Sequence, residues 1–170
     1  MVSLHPKLFT GMALPCILFP STVTSSASVI LMPSVAEMQA LGHRRKIRYI
    51  TRTTCTACIL LGSLCTTVFY FGGNFAGTIL FHNTDAGLYI RTLSFICPFL
   101  YTNIALTSIL NGLGKTGTTL VHSVLGILLR ISFVIFAIPV LGIRGYLYGL
   151  LLSEILLSLL HIYALYHMEF

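Results

Sequence analysis

Residues 118–141 read TTLVHSVLGILLRISFVIFAIPVL, and Arg130 is the single charged residue in this stretch. A helix needs about 20 predominantly apolar residues to cross the hydrocarbon core of a bilayer. The stretch meets that requirement, and it therefore predicts a transmembrane helix.

Four further stretches of the chain have the same length and character. The five predicted spans cover residues 8–32, 50–71, 88–113, 118–141 and 146–166. They leave only short connections between them, so the sequence predicts an all-α, polytopic transmembrane helix bundle that occupies residues 1–170 as a single unit.

The composition excludes a soluble fold. Of the 170 residues, 56 % are hydrophobic and only 8 % are Asp, Glu, Lys or Arg, and the mean hydropathy is +0.93. Soluble domains carry about 25 % charged residues. A soluble fold of this size needs more polar surface than the chain supplies, so we expect its main partner to be the lipid bilayer.

The positive charge is concentrated in one connection. The formal net charge is +6, and five of the ten basic residues lie between Arg44 and Arg52. Such a cluster sets orientation and contacts anionic headgroups in a membrane protein. It is too small and too local for a nucleic-acid footprint, so nucleic acid is not an expected partner. The residues predicted to face cytoplasmic headgroups are Arg44, Arg45, Lys46, Arg48 and Lys115.

The same charges predict the topology. The side of the membrane that is richer in Lys and Arg is the cytoplasm, which places the connections after the first and third spans and the C-terminus inside the cell. The first span then enters from outside. An outer N-terminus without a signal peptide favours a protein with a further upstream part.

The connections carry helix-ending signals. Ser34 and Glu37 have the spacing of a capping box, which predicts a short interfacial helix after the first span. Gly42 is expected to end that helix and Arg44 to open the next. Residues 71–85 look like a turn-rich link, and residues 142–145 like a tight turn.

Two charged residues fall inside the predicted spans and are expected to meet. Arg130 lies twelve residues before Gly142 and Glu154 lies twelve residues after it, so the two side chains should share one membrane depth. One interpretation is a structural ion pair that locks two helices together. The other is a polar pathway that binds an anionic headgroup or relays protons. The first is favoured.

Further polar residues extend this candidate pathway. His122 and His161 lie twenty and nineteen residues from Gly142, nearer the cytoplasm; their apolar neighbours, with no nearby carboxylate, favour packing over a pathway role. Ser25 belongs to a Ser/Thr stripe in the first span, which fits either close helix packing or a broken, cavity-lining helix. Asn103 belongs to a weaker polar face of the third span.

No enzymatic or metal chemistry is expected. With four acidic residues in the chain, no catalytic constellation can be drawn, so we expect neither an enzyme nor a cofactor. Cys55 and Cys58 form a CxxC pair without a second pair or a suitably spaced histidine, which favours packing over zinc. The Asn111–Thr116 stretch lacks the first glycine and the preceding strand of a P-loop.

A series of short motifs resembles a known transporter family. They are Thr10-Gly-Met-Ala-Leu-Pro15, Leu31-Met-Pro-Ser-Val-Ala-Glu37, Lys46-Ile-Arg48, Leu80-Phe-His82, Ile109-Leu-Asn-Gly-Leu-Gly-Lys115 and Pro139-Val-Leu-Gly-Ile-Arg-Gly-Tyr146. Their order and spacing resemble the C-terminal lobe of flippases of the multidrug/oligosaccharidyl-lipid/polysaccharide superfamily. The resemblance is to the stage V sporulation protein B-like branch, which is related to the lipid II flippases, and it covers nearly the whole chain.

The resemblance implies a two-lobe transporter that works by alternating access around a central cavity. It implies that this chain is the C-terminal lobe, with an N-terminal lobe as a missing partner. The implied cargo is a lipid-linked saccharide precursor for peptidoglycan, spore cortex or polysaccharide assembly at the bacterial plasma membrane. A lobe of a multidrug-type exporter and a membrane scaffold that transports nothing remain alternatives.

Overall fold

The structure, a computed structural model, describes residues 14–79, 90–141 and 143–167. It is helical throughout, with no strand among these residues. The helices are α1 (Leu14–Ala40), α2 (Arg44–Ile79), α3 (Cys97–Gly112), α4 (Thr116–Phe136), α5 (Ile138–Leu141) and α6 (Ile143–His167), and a 3-10 turn at Ser94–Ile96 leads into α3. Five helical segments are long and apolar enough to cross a membrane, which confirms the predicted fold class.

Helix α3 lies at the centre of the bundle. It packs against α1, α2 and α6, and α4 packs mainly against α6. Of the third span, 61 % is buried, compared with 11 % of the second and 17 % of the fourth. The outer faces of α2 and α4 expose large apolar side chains, and lipid is the solvent that accepts such faces.

Two apolar clusters hold the two ends of the bundle. One joins α2, α3 and α6 around Cys58, Tyr101 and Leu147. The other joins α1, α2, α3 and α6 around Val35, Ile47, Ile109, Leu110, Leu113 and Leu165. The second cluster gathers the α1–α2 turn, the α3–α4 turn and the end of α6 at one end, as the predicted topology requires. Which side of a membrane that end faces stays a prediction.

The predicted interfacial helix does not exist as a separate element. Helix α1 runs through Pro33 to Ala40 without a break, so the capping-box interpretation of Ser34 was wrong. The Ser34 hydroxyl instead donates to the main-chain oxygen of Ile30 at 2.9 Å. Pro33 removes the main-chain hydrogen bond to the Val29 oxygen, and the helix continues despite that loss.

Gly42 ends this helix as predicted. Its φ is +70°, a backbone conformation that favours glycine. The amide of His43 donates to the Met38 oxygen at 2.9 Å and the Gly42 amide to the Gln39 oxygen at 3.0 Å, which is the Schellman arrangement of a helix C-terminus. Helix α2 then begins at Arg44.

The two connections predicted at residues 71–85 and 142–145 contain more helix than expected. Helix α2 continues beyond Phe71 to Ile79, so the first half of the expected link is helical; residues 80–89 lie outside the described residues. Helix α6 begins at Ile143, so the expected 142–145 turn is largely helix, and Gly142 itself is not described. Helix α4 ends at Phe136 because Pro139 cannot donate the main-chain hydrogen bond that would continue it.

Candidate functional site: a buried polar network beside a cleft

The centre of the candidate site is an ion pair between α4 and α6. The guanidinium of Arg130 contacts the carboxylate of Glu154, and its Nε donates to the Ser153 hydroxyl at 2.8 Å. Glu154 is 5 % exposed, whereas the Arg130 side chain is 35 % exposed. The two helices are antiparallel around the α4–α6 connection, which is why equal spacing from Gly142 places these side chains at one depth.

Asn103 of the central helix completes the carboxylate's partners. Its Nδ2 donates to Glu154 Oε2 at 2.7 Å and to the Glu154 main-chain oxygen at 3.0 Å. Its Oδ1 accepts a hydrogen bond from the Ser158 hydroxyl at 3.0 Å. A buried carboxylate is tolerated when its oxygens are satisfied in this way. Asn103 therefore ties α3 to α6 through the charge itself.

The two histidines extend the network towards the basic end of the bundle. His161 Nδ1 lies 3.5 Å from Asn103 Oδ1, and the ring centroids of His161 and His122 are 5.0 Å apart. Asn103 separates His161 from the carboxylate of Glu154 and links the two side chains. The contacts thus run in order from His122 through His161, Asn103 and Glu154 to Arg130.

A cleft of about 710 Å³ opens beside this network. Its volume lies within the 300–1,000 Å³ of typical ligand pockets. Residues from α1, α3, α4 and α6 line it. The polar lining includes Ser25, Ser28, Asn103, Thr107, Ser108, Ser123, Arg130, Glu154 and His161, and the apolar lining includes Val29, Met32, Leu100, Ile104, Ile127 and Leu157. The structure therefore brings five of the six predicted pathway residues to one cleft, with His122 behind His161.

The polar stripe of α1 lies partly in the interface with α3 and partly along the cleft. Ser21, Thr24 and Ser28 are buried on the side where α1 packs against α3, while Ser25 and Ser28 line the cleft. Small hydroxyl residues let helices approach closely. Helix α1 is nevertheless continuous, so the cleft is not built on a broken helix.

Sequence reasoning missed three residues of the site: Ser28 as a buried group, Ser153 and Ser158. A usable signal was present on α6, because Glu154, Ser158 and His161 follow one another at i, i+4 and i+7. That spacing places them on one helix face. Ser28 had no comparable signal, because its burial depends on how α1 packs.

The predicted headgroup-facing residues lie together at one end of the bundle. Arg44, Arg45, Lys46, Arg48 and Lys115 are all exposed there. Helix α2 contains 36 residues, or about 54 Å at about 1.5 Å per residue. That length exceeds the hydrocarbon core of about 30 Å, so α2 is long enough to reach beyond it, and contact of its basic first turns with headgroups stays a prediction. Among the described residues, no three His, Cys, Asp or Glu side chains come together as a metal site would require.

Comparison with known proteins gives one informative relative. Stage V sporulation protein B of Bacillus subtilis strain 168 is 23 % identical to this chain over 154 residues, which is 89 % of the chain and 30 % of that protein. The chain thus spans about a third of the relative's length. No protein-family profile matches the chain, and no solved structure gives a significant match. The similarity and the five spans together support a multi-pass membrane protein distantly related to this sporulation protein.

Proposed function

We propose that this chain is the C-terminal lobe of a transporter that moves a lipid-linked saccharide precursor across the bacterial plasma membrane. The observation that carries the proposal is the cleft, in which an intramembrane ion pair and an amide lie beside apolar walls. Ionisable groups within membrane spans are rare, and they commonly face substrate or ion pathways. The distant relation to stage V sporulation protein B supports the transporter class.

The lining of the cleft fits an amphipathic cargo. Hydroxyl, amide and guanidinium groups lie on one part of the wall, and Val29, Leu100 and Ile127 lie on another. An Arg guanidinium binds phosphate oxygens through charge-assisted hydrogen bonds, and the exposed part of the Arg130 side chain is available for that contact. A lipid-linked saccharide presents a phosphate, hydroxyls and an acyl or prenyl chain together.

The proposed orientation in the membrane follows from the distribution of positive charge: the basic end of the bundle and the C-terminus face the cytoplasm. The proposal also includes an N-terminal lobe, which covers the open side of the cleft. Arg44, Arg45, Lys46, Arg48 and Lys115 contact anionic headgroups from the cytoplasmic side.

The test is transport by the complete gene product reconstituted in proteoliposomes. A fluorescent lipid-linked saccharide is placed in one leaflet, and its appearance in the other is followed. We expect Arg130→Gln to slow flipping about tenfold, the effect of losing one charge-assisted contact. The matched control Arg52→Gln removes an exposed charge outside the cleft and should leave the rate unchanged.

Other outcomes of the transport assay would identify a different function for the chain. Export of cationic drugs without flipping would identify a multidrug-type exporter. A well-folded protein that moves neither cargo would identify a membrane scaffold. Equal rates for Arg130→Gln and the wild type would remove the cleft from the transport route.

A further inference from the structure

Two buried imidazoles beside the cleft each have one ring nitrogen without a hydrogen-bond partner. His161 is 1 % exposed and His122 is 9 % exposed. The Nε2 atom of His161 and the Nδ1 atom of His122 are buried and accept or donate no hydrogen bond within the described part of the chain. Burying a polar atom without a partner is costly, so these two nitrogens mark a place where a further hydrogen-bonding species fits.

The network favours the tautomer of His161 that carries its hydrogen on Nδ1. Asn103 Nδ2 donates to Glu154, so its Oδ1 is an acceptor, and the Ser158 hydroxyl donates to that oxygen. His161 Nδ1, 3.5 Å from the same oxygen, can meet it only as an N–H donor. In the neutral ring, Nε2 is then a bare lone pair, which is a base at the wall of the cleft.

The partner for a protonated His161 is a neighbouring ring. The His122 and His161 rings are 5.0 Å apart between centroids. The rings are tilted by 57° and the two unpartnered nitrogens are not hydrogen-bonded to each other in this structure, so the shared hydrogen bond forms when the rings turn towards each other. His122 Nδ1 has no partner of its own and can accept such a bond as a neutral ring.

We propose that His122 and His161 form a proton-binding site that holds one shared proton and signals its occupancy to the Arg130–Glu154 ion pair. The proton is delivered by a hydronium ion in the cleft, which leaves as water. An N–H bond forms at His161 Nε2, and that hydrogen is donated to His122 Nδ1. A second proton is opposed by the charge of the first across 5.0 Å.

Asn103 carries the signal. A positive charge on His161 strengthens the Nδ1–H donation to Asn103 Oδ1, and it polarises the amide towards a stronger donation from Nδ2 to Glu154. The carboxylate is then held more by Asn103 and less by Arg130. Within the described residues, Glu154 on α6 and Arg130 on α4 are the charged groups of this network and reach the pair through Asn103; the cleft-lining residues of α1 and α3 are neutral.

Proton binding is measurable without transport, so its outcome is separate from that of the proposed function. The chain is labelled with ¹⁵N-histidine, placed in lipid nanodiscs and titrated while the ring nitrogens are followed by NMR. Histidine-to-glutamine variants assign the signals, and the exposed His43 and His167 serve as internal controls. We expect the His122 and His161 signals to move together in one transition, whereas the controls move independently.

Removal of one ring distinguishes a shared proton from two neighbouring ones. In His122→Gln, we expect the affinity of His161 for a proton to fall about tenfold, the effect of losing one charge-assisted hydrogen bond. An unchanged or higher affinity would overturn the proposal. The matched control His167→Gln should leave the His161 transition where it is.

A proton count on the wild type keeps the test decisive if a variant fails to fold. In the ¹⁵N titration of the wild type, the signals of the two rings together should account for the binding of one proton across the transition. Two protons, bound in two separate steps, would overturn the sharing, and so would none.

Discussion

The Arg130–Glu154 pair permits a quantitative test of how the buried network contributes to stability. Replacing Glu154 by leucine leaves the guanidinium without its counter-ion and removes one of the two acceptors of Asn103 Nδ2. Breaking a buried ion pair from one side costs about 3–5 kcal/mol. The Arg130 side chain is 35 % exposed, so its share is smaller, and we expect a loss of about 2–3 kcal/mol.

The lost hydrogen bond of Asn103 adds about 1 kcal/mol, which brings the expected cost of Glu154→Leu to about 3–4 kcal/mol. The double variant Arg130→Met/Glu154→Leu leaves no unpaired charge. It should therefore be only about 1 kcal/mol less stable than the wild type, because the Asn103 loss alone remains.

The assay is reversible unfolding by sodium dodecyl sulfate in mixed micelles, applied to the wild type, both single variants and the double variant. A double-mutant cycle isolates the interaction of the two side chains. Arg130→Met leaves the buried Glu154 carboxylate unpaired and should itself cost about 3–5 kcal/mol, so the expected coupling is about 5–8 kcal/mol. Single-variant costs that add to the double-variant cost within about 0.5 kcal/mol would refute the reasoning, since independent sites behave in that way.

Three further predictions concern packing, a turn and lipid contact. Gly112→Ala should lower the free energy of unfolding by about 1–3 kcal/mol, because the added Cβ would lie 2.6 Å from a main-chain oxygen of α1. Thermal unfolding checks this prediction. The control is Gly72→Ala, whose Cβ would meet nothing within 4 Å and which should lose no stability. Gly42→Ala should cost about 1 kcal/mol in the same measurement, because its φ of +70° strains any other residue. Arg45→Ala combined with Lys46→Ala should weaken retention of anionic lipid, seen by native mass spectrometry, by about 1 kcal/mol per residue, and equal retention would refute a headgroup role.

The boundaries of the spans were the weakest part of the sequence interpretation. Pro33, and the Gly72–Gly73 pair, looked like helix endings, yet α1 and α2 run through them. In lipid, an interrupted helix exposes main-chain groups that no water can satisfy, so continuation is favoured beyond what local signals suggest. The turn at Gly42 was predictable, because a left-handed backbone conformation favours glycine regardless of packing.

The part of the site formed by α4 and α6 was predictable from residue spacing along the sequence. Equal distances from Gly142 place Arg130 opposite Glu154 and His122 opposite His161, because helices of equal rise on either side of one connection reach one depth together. Spacing relates α4 to α6 alone. It says nothing about α3, so the bridge through Asn103 was visible only as a weakly polar helix face.

By itself, the sequence determined that the chain is a bundle of apolar helices, because residues with so little charge can satisfy their main-chain groups and their surface only in lipid. It also indicated which ionisable residues fall inside the predicted spans. Tertiary structure alone decided that α3 is central, that Asn103 links His161 to Glu154, and that the cleft lies beside them. The reason is that apolar spans look alike on every face, and which faces meet depends on small differences in side-chain packing.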